Sequence, residues 1–356
     1  MIRPALLAFG LVASGFLLAT APAGAAAPKA KAPVKVTFVT DWKAQAEHGG
    51  FYQALAEGTY AKAGLDVTIK QGGPSVNTPQ LIAAGAVEFA MGSNHFQPLN
   101  LAAAGADAVA VAAIFQKDPQ VLITHPRADI KTIADIKGKP VMISDATVST
   151  WWTWTRSRYG FEDRQIRKYT FNLAPFLADK KAIQQGYVTS EPYTIETEGK
   201  IKPQVFLLAD YGYPGYANFI LARGKDVRER PKVVQAFVEA SIDGWKSYLN
   251  GDASKANALI RKDNPDMTDA IIAQAIRQMR DRGMVEGGDA AKLGIGAMTD
   301  ARLKEFFDIM STNKVFDAKL DYRKAFDTRF VNKGRGGVVA PAGDKAPVAK
   351  PKPGKT

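Results

Sequence analysis

The 356-residue chain contains no cysteine. Disulfides, thiolate metal sites and cysteine nucleophiles are therefore excluded. Histidine is almost as scarce: His48, His95 and His125 are the three present, with no His-Glu-x-x-His and no paired spacing, which argues against a zinc hydrolase. A formal charge of +12 would suit a nucleic-acid binder, but Arg3, Lys29, Lys31 and a net four charges in residues 334–356 account for seven of the twelve. Residues 34–333 keep +5, with no basic run interleaved with aromatics, so no nucleic-acid partner is expected. No internal repeat is visible. What the chain does have is 46% apolar and 23% charged residues, enough to bury a large core in roughly two domains or lobes.

The N-terminus reads as a cleavable secretory signal over residues 1–25: a positive start at Arg3, an apolar run Ala5–Ala19, and the small-x-small site Ala23-Gly24-Ala25. A membrane anchor, the alternative, needs about 20 apolar residues. No cysteine follows the run to carry a lipid. A soluble, monomeric periplasmic protein is expected after an Ala/Pro/Lys spacer (26–33) and before a basic, disordered tail (334–356).

From Val34 the pattern alternates strand and helix, the signature of an α/β fold with a mostly parallel sheet in each of two lobes. The first lobe is expected over 34–126 and again on return over 213–333, and the second over 127–212. Strands are expected near Tyr187–Thr189 and Val205–Ala209. Pro231 opens the clearest helix, with Val234, Phe237, Val238, Ile242, Trp245, Tyr248 and Leu249 on one stripe until Asn250-Gly251. Thr268 and Thr299 are placed to cap two further amphipathic helices, which makes the C-terminal portion helical.

Ligands of open α/β sheets bind at the carboxyl ends of strands, and two such lobes make a cleft that closes by a hinge. The strand ends to inspect are Asp41-Trp42, Gly92-Ser93-Asn94-His95, Ser144-Asp145-Ala146-Thr147 and Thr189-Ser190-Glu191-Pro192-Tyr193.

The stretch VTFVTDWKAQAEHGGFYQALAEGTYAKAGLDVTI (36–69), followed by GGPSVNTPQLIAAGAVEFAMG, resembles the opening of NMT1/THI5-like periplasmic binding proteins, with their Trp, His-x-Gly-x-Tyr and GLDV strand. IADIKGKPV resembles the entry to the second lobe of type II ABC-transporter binding proteins. The resemblance covers about residues 34–330. It implies a type II two-lobed fold, delivery of a small-molecule ligand to ABC-transporter permease subunits, and, as in the best-known members, a thiamine-precursor pyrimidine or related aromatic heterocycle as ligand; no cofactor is expected for this chain.

Against that background, Trp42 either offers a flat stacking face or packs in the core. His48 and Tyr52 either present a polar edge to the cleft or cap and pack the next helix. Ser93, Asn94 and His95 either read carbonyls and ring nitrogens or form a plain turn. Asp145 and Thr147 suit a helix cap or a ligand contact. Trp151 and Trp154 share a helical face suited to the core, while Trp152 points elsewhere and either lines the cleft or stays on the surface. Glu191, with Tyr193 close behind, either accepts from an exocyclic amine and a ring N–H or lies in a solvated turn. Tyr211 and Tyr213 serve as hinge packing or as a second aromatic wall.

Three other functions compete. Some cytosolic relatives are thiamine-pyrimidine synthases with a lysine-bound cofactor and a cysteine-rich loop, but this chain has no cysteine and no lysine in Gly92–Pro98. An alkanesulfonate or nitrate binder would need cations at the cleft, with Lys43 and Arg156 the candidates. A flavin-type ligand is the remaining alternative.

Overall fold

The computed structural model describes residues 32–73 and 75–337. The expected signal (1–25), nearly all of the spacer and the tail beyond Gly337 lie outside the described residues. Both sheets belong to one unit that starts at Pro33.

The β-branched run Val34–Val39 forms β1, which pairs in parallel with β2 (Leu65–Lys70) in the register Val34↔Leu65 to Val39↔Lys70. With β3 (Phe89–Asn94), β4 (Ala108–Phe115) and the late strand β10 (Ala217–Arg223) it builds a five-stranded sheet in the order β2-β1-β3-β10-β4. The second sheet, ordered β7-β6-β8-β5-β9, contains β5 (Gln120–Thr124), β6 (Val141–Ile143), β7 (Ile166–Lys168), β8 (Ile183–Tyr187) and β9 (Gln204–Leu207). Each sheet holds one strand that runs against its neighbours: β5 is antiparallel to β8 and β9, and β10 (Ala217–Arg223) to β3 and β4. Both sheets are thus mixed, with four of the five strands pointing one way.

The chain crosses between sheets twice, through 116–119 and 208–216. The first crossing is earlier than the sequence pattern suggests, since residues 120–124, expected in the first lobe, pair in the second sheet. Four residues suffice because β5 enters its sheet antiparallel and needs no covering helix. Arg302 ties the crossings together: its guanidinium donates to the Gln116, Pro214 and Gly215 carbonyls and lies 3.9 Å over the Tyr216 ring.

β8 was expected at 187–189 and lies four residues earlier. Its Gln184 and Gln185 are buried, against the rule that buried strand positions are apolar. Gln185 Oε1 accepts from the Ser144 N–H at 2.7 Å and the Thr147 hydroxyl at 2.8 Å, sewing the end of β6 to β8. Thr268 caps its helix as expected by accepting from the Ile271 N–H, whereas the Thr299 side chain makes no such bond and its N–H donates to the Tyr216 hydroxyl. Gly334–Gly337, expected in the disordered tail, is docked: Arg335 pairs with Asp243 and Glu239, and its carbonyl accepts from the Ile295 N–H. No described helix is long and apolar enough to cross a membrane.

The helix Pro231–Asn250 buries the whole stripe read from its sequence. Phe237 stacks on Phe89 at 4.1 Å and on Tyr60 at 5.3 Å, and Phe38 packs between Phe51 and Phe237. The helix Gly49–Ala56 lies across it at very close range. A Cβ on Gly50 would fall 2.1 Å from the Trp245 ring, and one on Gly49 2.0 Å from that of Tyr248. Gly50→Ala is therefore expected to destabilise the protein by about 1–3 kcal/mol through overpacking, measured as a lower urea midpoint with unchanged slope. An unchanged midpoint would contradict this account of the crossing.

Candidate functional site

β1 delivers Thr40-Asp41-Trp42 to the space between the sheets. The Trp42 carbonyl accepts from the Thr40 hydroxyl at 2.7 Å and from the Gly72 N–H at 3.0 Å, which pins its backbone. The half-buried indole faces Phe171, in the loop after β7 of the other lobe, with ring centroids 5.2 Å apart and planes at 45°. Behind Asp41 lies His48, fully buried, its Nε2 3.1 Å from Asp41 Oδ1 and its Nδ1 without a partner among the described residues.

Glu47, beside His48, is buried at the junction of the lobes. Its Oε1 accepts from the Thr189 hydroxyl of the second lobe, and its carbonyl accepts at 2.7 Å from the Asn218 side-chain amide at the start of β10. Asn218 adopts a left-handed backbone with φ of 51°, which an asparagine tolerates better than most residues, and its Oδ1 is buried without a partner among the described residues. Burial raises the Glu47 carboxyl above the ordinary carboxylate range.

Two more carboxyls join it. Glu191, at the first turn of the helix Glu191–Gly199, accepts from the Tyr187 N–H at 2.8 Å, and burial pushes it up to about 7 against that bond. Asp118, in the first crossing, is likewise pushed up to about 7 by burial, although it accepts from the Gln120 N–H at 2.9 Å. Burial, and after it the charges of Asp118, Asp41, Glu47 and Glu191, raise the Tyr187 phenol and keep it protonated. No lysine or arginine forms an ion pair with any of these four carboxyls among the described residues. The arrangement can accept several hydrogen bonds and hold a positive charge, and an anion would be repelled.

Of the residues singled out from sequence, Trp42, His48 and Glu191 come together here, and Tyr193 is half-buried in the same helical turn as Glu191. Ser93 lies nearby in a groove of about 350 Å³ shared with Asp41 and Thr78. Its neighbour Asn94 instead accepts from the Phe96 N–H. Tyr52 turns away, its hydroxyl 2.8 Å from Asp263. His95 is core: its ring stacks on Phe306 at 4.0 Å, and burial holds it neutral, well below the usual histidine range. Asp145 is exposed and paired with Lys168, and Thr147 is consumed by Gln185 and Ser144. Trp152 joins Trp151 and Trp154 inside, donating to Asp163 at 3.1 Å. Tyr211 packs at the second crossing, where its carbonyl accepts from the Tyr159 hydroxyl. Helical spacing alone could not separate these cases, because a strand end has both a cleft side and a core side.

Glu47, Asp118, Asn218, Phe171 and Tyr187 were not singled out from sequence as site residues, and Thr189 was named there only as part of a strand end to inspect. Glu47 had a signal, an acid beside His48 amid small apolar residues. Asn218 had none, since its backbone conformation is set by the β10 pairing.

The NMT1/THI5-like model matches residues 45–252, the segment that carries Glu47, His48, Asp118, Glu191 and Asn218. The chain belongs to the NMT1/THI5-like family. It is 25% identical over 251 residues to the formylaminopyrimidine-binding protein of Halalkalibacterium halodurans, covering 68% of this chain and 74% of that protein. The periplasmic aliphatic sulphonate binding protein SsuA from Escherichia coli has a similar structure, with a TM-score of 0.64 at 16% identity over 90% of this chain and 97% of that one. The desulfurization enzyme DszB follows at a TM-score of 0.53 and 13% identity, over 85% and 98%. At such identities these likenesses speak for the fold alone: this NMT1/THI5-like chain has the type II periplasmic binding-protein architecture.

The raised carboxyls make the pH dependence predictable. Glu191 and Asp118, at about 7, lie above the 4.5 and 3.8 of free carboxyls, so protonation favours the folded state. Their stabilising contribution is complete below the unfolded values and is lost as pH rises through 7. Exposed ion-paired carboxyls such as Asp107, held low by Arg228, titrate below this window. Melting temperature is expected to fall between pH 5 and 8, and Glu191→Gln, which cannot ionise, should flatten the slope. A slope of opposite sign, or one that Glu191→Gln leaves unchanged, would refute this assignment.

Proposed function

We propose that this chain captures a small flat nitrogen heterocycle bearing an amine, of the aminopyrimidine kind, in the cleft between its lobes. It acts as the substrate-binding protein of an ABC importer, outside the cytoplasm, and hands the ligand to a membrane permease. The observation that carries this reading is that carboxyls buried at the junction of the lobes, Glu47 bonded to Thr189 and Glu191 bonded to the Tyr187 N–H, have no lysine or arginine in an ion pair among the described residues. Beside them Asp41 and Trp42 follow β1, with the indole against the second lobe. A carboxylate can accept from an exocyclic amine and a ring N–H at once, and the indole supplies a stacking surface. The orphaned His48 Nδ1 and Asn218 Oδ1 offer further partners for a polar ring edge. The name of the Halalkalibacterium relative points to the same ligand chemistry.

An alkanesulfonate or nitrate fits this cleft poorly. Lys43, offered for that role, is exposed and paired with Asp266, and Arg156 is paired with Asp163. Arg302, whose charge reaches Asp118, is engaged by three backbone carbonyls. Pyrimidine synthesis by a cysteine-rich loop has no cysteine to use. The expected lobes, hinged at 116–119 and 208–216, would close over the ring and exclude water.

Calorimetric titration with a formylaminopyrimidine and with an alkanesulfonate tests the reading. The heterocycle is expected to bind, with Trp42→Ala weakening it by about 2 kcal/mol and Glu191→Gln by about 1–3 kcal/mol. Tight sulfonate binding that survives both changes would overturn it.

A further inference from the structure

Phe171 stands out from the rest of the chain in three respects. It is one of two large apolar side chains left exposed among the described residues, at 55%. Its backbone is left-handed, with φ of 61°, a conformation that strains a bulky residue and that asparagine or glycine would adopt more easily. Its ring nonetheless reaches across the lobes to Trp42. Either exposure or strain alone would mean little, but here both serve a single contact at the mouth of the cleft.

The support behind Phe171 is built. Tyr169, buried, lies 5.3 Å from it ring to ring and is anchored by its N–H to the Ile143 carbonyl at 3.0 Å. Asn172 holds the next turn by accepting from the Ala174 N–H at 2.9 Å. On the facing side the Trp42 backbone is pinned by Thr40 and Gly72. Two aromatic side chains, each on a fixed backbone and each on a different lobe, therefore face one another.

We infer that Phe171 and Trp42 form an aromatic clamp that closes on the two faces of a flat ligand ring, with Phe171 a binding residue of the second lobe. The inference rests on the heterocycle reading above and assigns that ligand's second face. Rings stack at about 3.5 Å, so a sandwiched ring needs walls about 7 Å apart. The present 5.2 Å is too close to admit one, and an opening of about 2 Å by the hinge would suffice. With no ring between them, the two side chains cover each other.

Tryptophan quenching and dissociation kinetics test the clamp. Trp151, Trp152, Trp154 and Trp245 are buried, which leaves Trp42 as the acrylamide-accessible indole of the five. Phe171→Ala is expected to raise acrylamide quenching in the ligand-free protein. It should also weaken binding of a formylaminopyrimidine about tenfold, mainly through faster dissociation, while Phe171→Tyr stays near wild type. Phe171→Gly, which adopts the left-handed backbone freely, should retain or exceed the wild-type melting temperature. Heterocycle binding by the wild type that Phe171→Ala leaves unchanged would overturn the clamp alone. No binding by the wild type would overturn the ligand assignment and the clamp together.

Discussion

The close crossing of the helices Gly49–Ala56 and Pro231–Asn250 determines where the functional groups stand. With no side chain on Gly49 or Gly50, the first helix sinks onto the Tyr248 and Trp245 rings, and the short turn before it, Ala46–His48, is drawn into the junction of the lobes. Glu47 and His48 are buried there as a consequence. Two of the three residues of the His-x-Gly-x-Tyr motif are thus architectural, Gly50 permitting the approach and Tyr52 anchoring to Asp263, while His48 backs Asp41 and keeps Nδ1 without a partner among the described residues.

Burying carboxyls in that junction has an electrostatic consequence. A desolvated carboxylate must be neutralised by a proton, a cation or strong donors. Glu191 and Asp118 each have a backbone donor, Glu47 has Thr189, and none has a basic side chain in an ion pair. Protonation therefore covers the deficit near neutral pH, and a ligand carrying N–H donors or positive charge would replace those protons. Where these carboxyls are ionised, they disfavour an anion.

Closure joins these features. The Glu47–Thr189 hydrogen bond and the Trp42–Phe171 contact both span the lobes, while Arg302 binds carbonyls of both crossings. The cleft groups and the crossings are held by short, named contacts, and any separation of the lobes would have to break the first two.

Local pattern was sufficient for much of this protein. The alternation of strand and helix, the Pro231 helix with its buried stripe, and the absence of cysteine chemistry follow from residue type and spacing. Trp42, His48 and Glu191 were legible as site candidates because each ends a strand or begins a helix. Position in a sheet was not. β5 reads as an ordinary apolar run, and only pairing with β8 and β9 assigns it to the second lobe. Gln184 and Gln185 hide β8 because both are polar yet buried, and the Gln185 amide is answered by Ser144 and Thr147 about forty residues away. His95, Trp152 and Thr147 look like cleft residues until packing turns them inward, and Phe171 looks like a loop residue until it meets Trp42. Sequence spacing sets which side chains share a face; which of the two sides of a strand end becomes the cleft is decided by tertiary contacts, some, such as His95 with Phe306 and Trp42 with Phe171, between segments more than a hundred residues apart.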